Sequence, residues 1–388
     1  MKNILFITHY AGLYGANRSL LDLIMRFRFR SFKVWVLVPE KGILTKELEA
    51  NGIPFIVYGF KKFGVFRWKS KTLLGGFYRD LVFFIDGIKA YLVNKIISIR
   101  IISWAKHHGI KTFYFNSIMT LGPGFLANTK RTSFIRFLHI REHPEKHFNI
   151  MPFLGIDYVK ARILNLNKVI LVSDYLLSEL RSILPKDERK ISVVHNCVDI
   201  DSKNVFLENS EKSIFTFGIF GMIATKKNQT SAIDCFSKVV GEFPNTALLV
   251  VGGGDMEALM DHAKKMGVGD KVHFTGFVKD VSKYYEMVQS CLICSDHEAF
   301  GRVTVEALLY KKPVIAKMSG AHPEILEGGK FGVLYHSQNE LVAAMLDMIK
   351  NYELYSKRSE KISGDVKAKY EYPGKIGSIV DSLNAILE

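Results

Sequence analysis

Two glutamates flank a short loop and the start of a predicted helix in the C-terminal half. The string Glu298-Ala-Phe-Gly-Arg-Val-Thr-Val-Glu306 follows the apolar run Cys291–Ser295, which predicts a buried strand. The first N–H groups of a helix have no partner within the helix and attract anions, so we expect an anion site from Gly301 to Thr304. A carboxylate one turn into the helix, Glu306, can accept hydrogen bonds from the vicinal hydroxyls of a ribose. The segment therefore predicts a cradle for a diphosphate beside two carboxylates for hydroxyl groups.

Loops after two other predicted strands carry residue types that suit phosphates and nucleotides. Gly221-Met-Ile-Ala-Thr-Lys-Lys227 opens a helix with two adjacent lysines, Lys226 and Lys227, although lysines at a helix start are most often only solvated. Val251-Gly-Gly-Gly254-Asp255 is a glycine-rich turn, but Glu257 stands where the dinucleotide fingerprint needs a third glycine. A nicotinamide site is therefore disfavoured.

Two further segments lie in the N-terminal half. Gly12-Leu-Tyr-Gly15-Ala-Asn-Arg18 follows the first predicted strand and is equally consistent with a phosphate loop and a plain strand-to-helix turn. Phe137-Leu-His139-Ile-Arg141-Glu142 ends a later strand. A lone histidine is usually structural, but at the carboxyl end of a parallel strand we expect His139 to face a ligand. His143 and His147 are weaker candidates.

Together these segments resemble glycosyltransferase family 4, whose members have the GT-B fold, use nucleotide-sugars and retain the anomeric configuration. The glutamate pair matches that family in its spacing and in the intervening Phe-Gly. The segment from Gly221 to Lys227 is similar to the family's Gly-Arg-Leu…Lys-Gly segment, with Met222 at the arginine position. Phe274-Thr-Gly-Phe277-Val278 is similar to the family segment that meets the base, and a strand end in the core is an equal alternative for its side chains. The resemblance covers nearly the whole chain and is strongest from 215 to 335.

The resemblance implies roles for individual residues. Glu298, Lys227 and His139 are expected to act in catalysis, with Lys227 on the leaving diphosphate and His139 on the sugar. The residues expected to bind the donor are Glu306, Gly12, Gly15, Phe300, Gly301, Arg302, Val303, Thr304, Lys226, Gly254, Phe277 and Val278. The donor is expected to be a UDP- or GDP-sugar. No cofactor and no metal ion is expected, and the acidic pair Asp199 and Asp201 is assigned no metal.

Strand and helix signals alternate along the chain, which is typical of α/β folds with parallel sheets. We predict two Rossmann-like, doubly wound domains that face each other across a cleft. The N-terminal domain, 1–205, is expected to bind the acceptor, and the C-terminal domain, 206–370, the nucleotide-sugar. A final helix, 371–388, is expected to pack back on the N-terminal domain. Apolar residues at 81, 84, 85, 88, 92, 96 and 99 predict one further helix.

The charge of the chain is concentrated in one half. The net charge is +15; residues 1–205 hold 32 Lys and Arg against 15 Asp and Glu, a net of +17, and the remainder has a net of −2. Residues 26–33 and 60–71 mix bases with aromatics. Such segments suit an anionic membrane or single-stranded nucleic acid, and equally plain solvated surface. No recognition-helix or RNP-like motif is found, so we expect membrane association and no nucleic acid partner.

Four cysteines among 388 residues are too few for a disulfide scaffold. Cys291 and Cys294 are expected to be small buried hydrophobes on opposite faces of a strand. The small number of cysteines favours the cytoplasm, and the protein is expected at the inner face of the cytoplasmic membrane. No signal peptide or transmembrane helix is expected. The predicted function is transfer of a sugar from a nucleotide donor to a glycan or lipid-linked acceptor, in a bacterial surface polysaccharide pathway. The alternatives are an inactive nucleotide-sugar-binding protein and a basic nucleic-acid-binding protein.

Overall fold

A computed structural model describes residues 2–13, 15–28, 32–61, 64–66, 73–126, 134–148, 150–198, 200, 214–371 and 379. These residues form two compact units, the first comprising residues up to His195 together with Ile379 and the second Asn196–Lys375. The expected boundary between 205 and 206 falls in 201–213, outside the described residues. Most of the expected C-terminal helix, 371–388, also lies outside them.

A parallel sheet forms the centre of the first unit. Its strand order is β3-β2-β1-β5-β6-β8-β9, and β4 and β7 form a separate antiparallel pair. The strands are β1 (Lys2–Ile7), β2 (Phe32–Val38), β3 (Phe55–Val57), β4 (Gly64–Phe66), β5 (Thr112–Phe115), β6 (Ile135–Ile140), β7 (Ile150–Pro152), β8 (Lys168–Leu171) and β9 (Ile191–Val193). The helices are α1 (Gly15–Arg28), α2 (Ile43–Ala50), α3 (Leu73–His107), α4 (Pro144–Phe148), α5 (Gly155–Leu164) and α6 (Asp174–Leu180). The main strands read as apolar runs because a parallel sheet is covered on both faces.

The second unit is built on another parallel sheet, of order β12-β11-β10-β13-β14-β15. Its strands are β10 (Phe215–Phe220), β11 (Thr246–Val251), β12 (Val272–Phe274), β13 (Ser290–Ile293), β14 (Val314–Lys317) and β15 (Val333–Tyr335). Its helices are α7 (Gln229–Glu242), α8 (Met256–Lys265), α9 (Ser282–Met287), α10 (Arg302–Leu309), α11 (His322–Ile325), α12 (Gln338–Lys350) and α13 (Tyr352–Tyr370). Phe217, Phe236 and Leu248 lie fully buried in its core.

Strands and helices alternate in both units, as the sequence predicted, and the helix predicted from residues 81–99 is present within α3. The sequence analysis did not predict the strands β4, β7 and β15 or the helices α4, α5, α6, α11 and α13. All four cysteines are buried free thiols, which confirms the predicted burial of Cys291 and Cys294. Burial raises the pKa of both Cys291 and Cys294 to about 12, because an apolar environment disfavours the thiolate. They are therefore inert packing residues.

Candidate active site

In the second unit, loops from neighbouring strands meet at the carboxyl edge of the sheet. The loops after β10 and β11 pack so closely that a Cβ on Gly252 would lie 2.0 Å from the carbonyl oxygen of Gly221. A Cβ on Gly254 would lie 2.6 Å from the carbonyl oxygen of Ile223, and both glycines have positive φ, +151° and +137°. The glycine-rich turn, including the predicted donor residue Gly254, is thus required by packing between loops.

The loops after β10 and β13 bring Lys227 and Glu298 together. Lys227 ends a 3₁₀ turn, and Asn228 follows in the left-handed conformation at φ +53°. The Asn228 amide donates to Asp296 at 2.6 Å, and the Asp296 N–H donates to the Lys226 carbonyl at 3.1 Å. These bonds fix the two loops, and the Lys227 ammonium donates to a carboxylate oxygen of Glu298. The two side chains are only 21% and 22% exposed, so they form a half-buried ion pair.

Fewer residues at the start of α10 are accessible to a ligand than the sequence indicated. Gly301 caps the helix at φ +78°, so the glycine is needed for conformation. The Thr304 N–H donates to the Gly301 carbonyl at 3.0 Å, and the Thr304 side chain is buried. Phe300 is buried too, with its ring 6.1 Å from that of Tyr370. Arg302 and Val303 lie half-buried in the first turn of α10, where a ligand can reach them.

His322, which the sequence analysis did not single out, packs against the start of α10. Its imidazole lies 3.1 Å from the Thr304 hydroxyl and 3.3 Å from the Ser295 hydroxyl, and a Cβ on Gly301 would lie 3.1 Å from its Nδ1. Burial lowers the pKa of His322 to about 4; Glu298 opposes this shift and Lys227 adds to it. The residue is therefore a neutral imidazole at neutral pH.

Glu306 lies one turn into α10 and is held by two neighbours. Arg302 donates to one of its carboxylate oxygens at 2.9 Å, and the Tyr285 hydroxyl approaches the other at 3.4 Å, which is long for such a bond. Tyr285 is fully buried and stacks on Phe220 and Tyr310, with ring centroids 3.8 and 4.6 Å away. The carboxylate is thus held mainly by Arg302, with the stacked ring of Tyr285 beside it.

The loop after β12 contributes an exposed aromatic side chain. Phe277 is 75% exposed, the most of any large hydrophobic residue in the described ranges, and follows Gly276 at φ +71°. A Cβ on Gly253 would lie 3.1 Å from the Phe277 Cβ, so the loop after β12 packs closely against the glycine-rich turn. Val278 beside it is half-buried, and Met222, at the family arginine position, is exposed.

In the first unit, the glycine loop after β1 is anchored by Asn17, which the sequence prediction did not single out. The Thr8 hydroxyl donates to the Asn17 side-chain oxygen at 2.6 Å, and the Asn17 amide donates to the carbonyls of Tyr10 and Gly12 at 3.0 and 2.7 Å. Gly15 begins α1 and is exposed, and a Cβ there would meet no atom within 4 Å. The folded chain itself does not require a glycine at this position.

His139 lies inside β6, where the imidazole is only 1% exposed. The Tyr114 hydroxyl lies 2.7 Å from its Nδ1, and Nε2 has no hydrogen-bond partner within the described part of the chain. Burial, with a smaller contribution from Arg141, lowers the pKa of His139 well below its usual value, so the ring is neutral. The predicted sugar contact is therefore a buried side chain in the first unit.

A buried carboxyl next to this strand was also missed. Glu142 accepts a hydrogen bond from the Ser117 hydroxyl, and the Arg141 guanidinium donates to Asn116 at 2.7 Å. Burial raises the pKa of Glu142 to about 7, although Ser117 and Arg141 oppose the shift. The adjacent opposite charges in Arg141-Glu142, directly after an apolar strand, were the available sequence signal.

Two doubly wound parallel sheets, with phosphate-type loops at their carboxyl edges, define the GT-B class of fold. The model described as "Glycosyltransferase Family 4" matches residues 14–202, and the model described as "Glycosyl transferases group 1" matches residues 201–363. Between them they cover nearly the whole chain. The chain belongs to the family-4 glycosyltransferases.

Curated relatives match part of the chain. N-acetyl-alpha-D-glucosaminyl L-malate synthase of Bacillus anthracis is 25% identical over 51% of this chain and 54% of its own length. Alpha-monoglucosyldiacylglycerol synthase of Streptococcus pneumoniae is 26% identical over 46% of this chain and 42% of its own length. The matches thus span about half the length of these relatives.

Solved structures agree over the full length. Anabaena HepE in complex with UDP and glucose superposes with a TM-score of 0.75 at 20% identity, covering 100% of this chain and 99% of that one. At this identity the likeness establishes the fold. Among the described helices, none combines the length and apolar character that crossing a membrane requires.

Proposed function

We propose that this protein is a retaining glycosyltransferase that moves a hexose from a UDP- or GDP-sugar to a glycan or lipid-linked acceptor. The observation that carries the proposal is the contact between Lys227 and Glu298 beside the start of α10. One cation, one carboxylate and the first turn of a helix lie at one edge of a parallel sheet, where nucleotide ligands of α/β proteins bind. Glu306 adds a second oriented carboxylate in the same helix.

The charges of this edge suit a diphosphate leaving group. Lys227 exchanges Glu298 for the diphosphate, and the released carboxylate then accepts hydrogen bonds from the sugar hydroxyls. The N–H groups of Arg302 and Val303 and the positive end of α10 stabilise the developing phosphate charge. Cations and amides of the chain fill the role that a metal would otherwise have, so we propose metal-independent transfer.

Retention follows if attack and departure share one face of the sugar. The acceptor oxygen bonds to the anomeric carbon as the bond from that carbon to the diphosphate oxygen breaks. The acceptor proton passes to the departing phosphate oxygen, so no side-chain base is required. In this proposal Glu306 binds the ribose hydroxyls, and Phe277 and Val278 are assigned to the base. Gly12 and Gly15 are assigned to the donor phosphates and His139 to the sugar, which requires His139 to become accessible.

The relatives suggest the setting. One is named as a synthase of a glucosylated diacylglycerol, which is consistent with a lipid-linked acceptor. Four reduced, buried cysteines are consistent with the cytoplasm. We therefore place the enzyme at the inner face of the cytoplasmic membrane, in surface polysaccharide synthesis.

A catalytically inactive donor-binding protein is the second candidate, and Met222 is the observation that favours it. An uncharged side chain at this position removes one expected contact with the diphosphate. Binding without turnover would distinguish this candidate from the enzyme.

The test is a thermal-shift screen of the full chain against UDP-, GDP- and ADP-sugars, followed by turnover of each hit with and without EDTA. A donor at 100 times its dissociation constant should stabilise the folded chain by about 2.7 kcal/mol. We expect one hit whose sugar is transferred or slowly hydrolysed in EDTA, with the anomeric configuration retained. Stabilisation by no nucleotide-sugar would contradict the proposal, and binding without turnover would favour the inactive protein.

A further inference from the structure

The helix predicted by residues 81–99 is present, but its apolar side points away from the unit. The outer face of α3 consists of Leu81, Phe84, Ile85, Ile88, Leu92, Ile96 and Ile99, whose side chains are 41% to 69% exposed. At about 100° per residue these positions fall within a stripe roughly 120° wide. Soluble monomers rarely expose contiguous apolar patches larger than a few hundred Å², and larger patches mark sites of contact with proteins or membranes.

Between residues 87 and 98, the side of α3 that faces the first unit is polar or small, whereas Ile101 and Ala105 further along are also buried. Asn94 is fully buried, accepts from the Lys61 N–H at 2.7 Å and donates to the Pro123 carbonyl at 2.8 Å. Ser98 accepts from the Leu126 N–H at 2.7 Å. At Gly87 the ring of Phe153 packs so closely that a Cβ would lie 1.9 Å from it. A surface helix normally buries its apolar stripe, so the polarity of α3 is inverted.

Basic side chains lie within and beside the outer face. Lys89, Lys95, Arg100 and Lys106 are all exposed, and Asp86 is the only exposed acid in the described side chains of α3. Lys95 and Lys106 also line, with Ile99 and Ile102, a groove of about 530 Å³. Long basic side chains at the edge of an apolar stripe can reach lipid phosphates while their stems stay in the apolar layer.

We propose that the outer face of α3 lies in the surface of an anionic lipid bilayer, with the helix parallel to the membrane plane. The charges favour this partner because Lys89, Lys95 and Lys106 would repel their counterparts in a second copy but attract anionic headgroups. One helix face also offers less than the ~800 Å² per partner of a typical stable interface. This docking surface lies in the first unit and does not depend on the proposed donor site.

Vesicle flotation of the full chain tests the proposal. Wild type should bind vesicles that contain a phosphatidylglycerol fraction more tightly than pure phosphatidylcholine vesicles. The variant Ile88→Gln/Leu92→Gln/Ile96→Gln should bind at least tenfold more weakly. The matched control Ile214→Gln/Leu354→Gln/Met260→Gln removes exposed apolar side chains of the second unit and should bind like wild type. Unchanged binding by the α3 variant, or no vesicle binding by wild type, would overturn the proposal.

A fluorophore on the helix separates the bilayer from other occupants. Because the native cysteines are buried, an environment-sensitive label can be placed on Leu92→Cys, with Leu354→Cys as control. Emission from position 92 should shift to the blue only when anionic vesicles are added, and position 354 should not respond. A blue-shifted signal before lipid is added would mean that another part of the chain covers α3. A lipid-free dimer that the α3 variant dissociates would assign the face to a second copy, and either result overturns the proposal.

Discussion

The ion pair between Lys227 and Glu298 joins residues 71 positions apart in the sequence. Each ion neutralises the other in the folded chain. In the proposed mechanism, the diphosphate takes the place of Glu298 beside Lys227, and the released carboxylate turns to the sugar. The proposal therefore predicts that both members of the pair are needed for transfer.

Lys227→Ala should lower kcat/KM by about 10²- to 10³-fold, the usual effect of removing one preorganised donor from a developing charge. The matched control is Lys350→Ala, which breaks an exposed ion pair with Glu242 in the same unit. That pair should contribute at most about 1 kcal/mol to stability and nothing to transfer. Equal rates for the two variants, measured with the donor identified by the screen, would remove Lys227 from the mechanism.

Met222→Arg should strengthen donor binding about three- to tenfold, because a guanidinium at this exposed position adds a charge-assisted contact to the diphosphate. The gain should shrink as salt is raised, since exposed charges are screened. Calorimetric titration at low and moderate ionic strength measures it. Weaker binding by the arginine variant would show that Met222 does not border the diphosphate.

His322 should make the second unit less stable in acid. Its folded pKa of about 4 lies below the ordinary value of 6.5, so between these pH values the unfolded chain binds a proton that the folded chain does not. Stability is therefore lost as the pH falls through this window, by about 2 kcal/mol at pH 5. Amide hydrogen exchange of β13 and α10 at pH 7 and pH 5 measures the change. His322→Gln should flatten this dependence, and a slope equal to wild type would contradict the assignment.

The sequence indicated that the loops after β10 and β13 meet, because the carboxyl ends of parallel strands lie at one edge of a sheet. Lys227 and Glu298 of these loops are in contact, whereas Glu306 lies further along α10 against Arg302 and Tyr285. Burial of Thr304 and His139 could not be predicted, because their partners His322 and Tyr114 are distant in the sequence. For Glu142 the charged pair after an apolar strand was a local signal that the sequence analysis did not use.

At the scale of elements, the turns that end β10 and β11 are held together by glycine. Gly252→Ala would place a Cβ 2.0 Å from the Gly221 carbonyl at a φ that side chains rarely adopt. We expect a loss of more than about 2 kcal/mol and a lower melting temperature by circular dichroism. Gly241→Ala, in α7 with open space around it, should leave stability unchanged or raise it by up to about 1 kcal/mol. Similar losses in both variants would contradict the packing role.

Strands and helices with a strong apolar sequence pattern were predicted. The elements that were not predicted have a weak pattern. The main strands are buried on both faces and read as apolar runs, whereas α13 is rich in charges and its helical period rests on a few residues such as Ile362, Val366 and Tyr370. For α3 the spacing correctly predicted a helix, but it did not indicate which face packs against the unit. Asn94 and Ser98 lie on that face because their side chains bond to loop backbone groups.

At the scale of the whole molecule, the excess positive charge and the proposed donor site lie in different halves of the chain. Residues 1–205 carry a net charge of +17 and include α3, while the remainder carries −2 and includes the donor edge. A basic half suits an anionic surface, and a near-neutral half leaves Lys227 and α10 as local attractors for a diphosphate. We infer that one unit locates the protein at the membrane and the other holds the donor.

The most direct test is calorimetric titration of the full chain with the nucleotide-sugar selected by the screen, for wild type, Glu306→Ala and Glu353→Ala. Glu353 is an exposed acid on α13 and serves as the control. The account predicts binding at one site, a loss of at least tenfold in affinity for Glu306→Ala, and no change for Glu353→Ala. Identical affinities for all three proteins would show that the donor does not bind at α10.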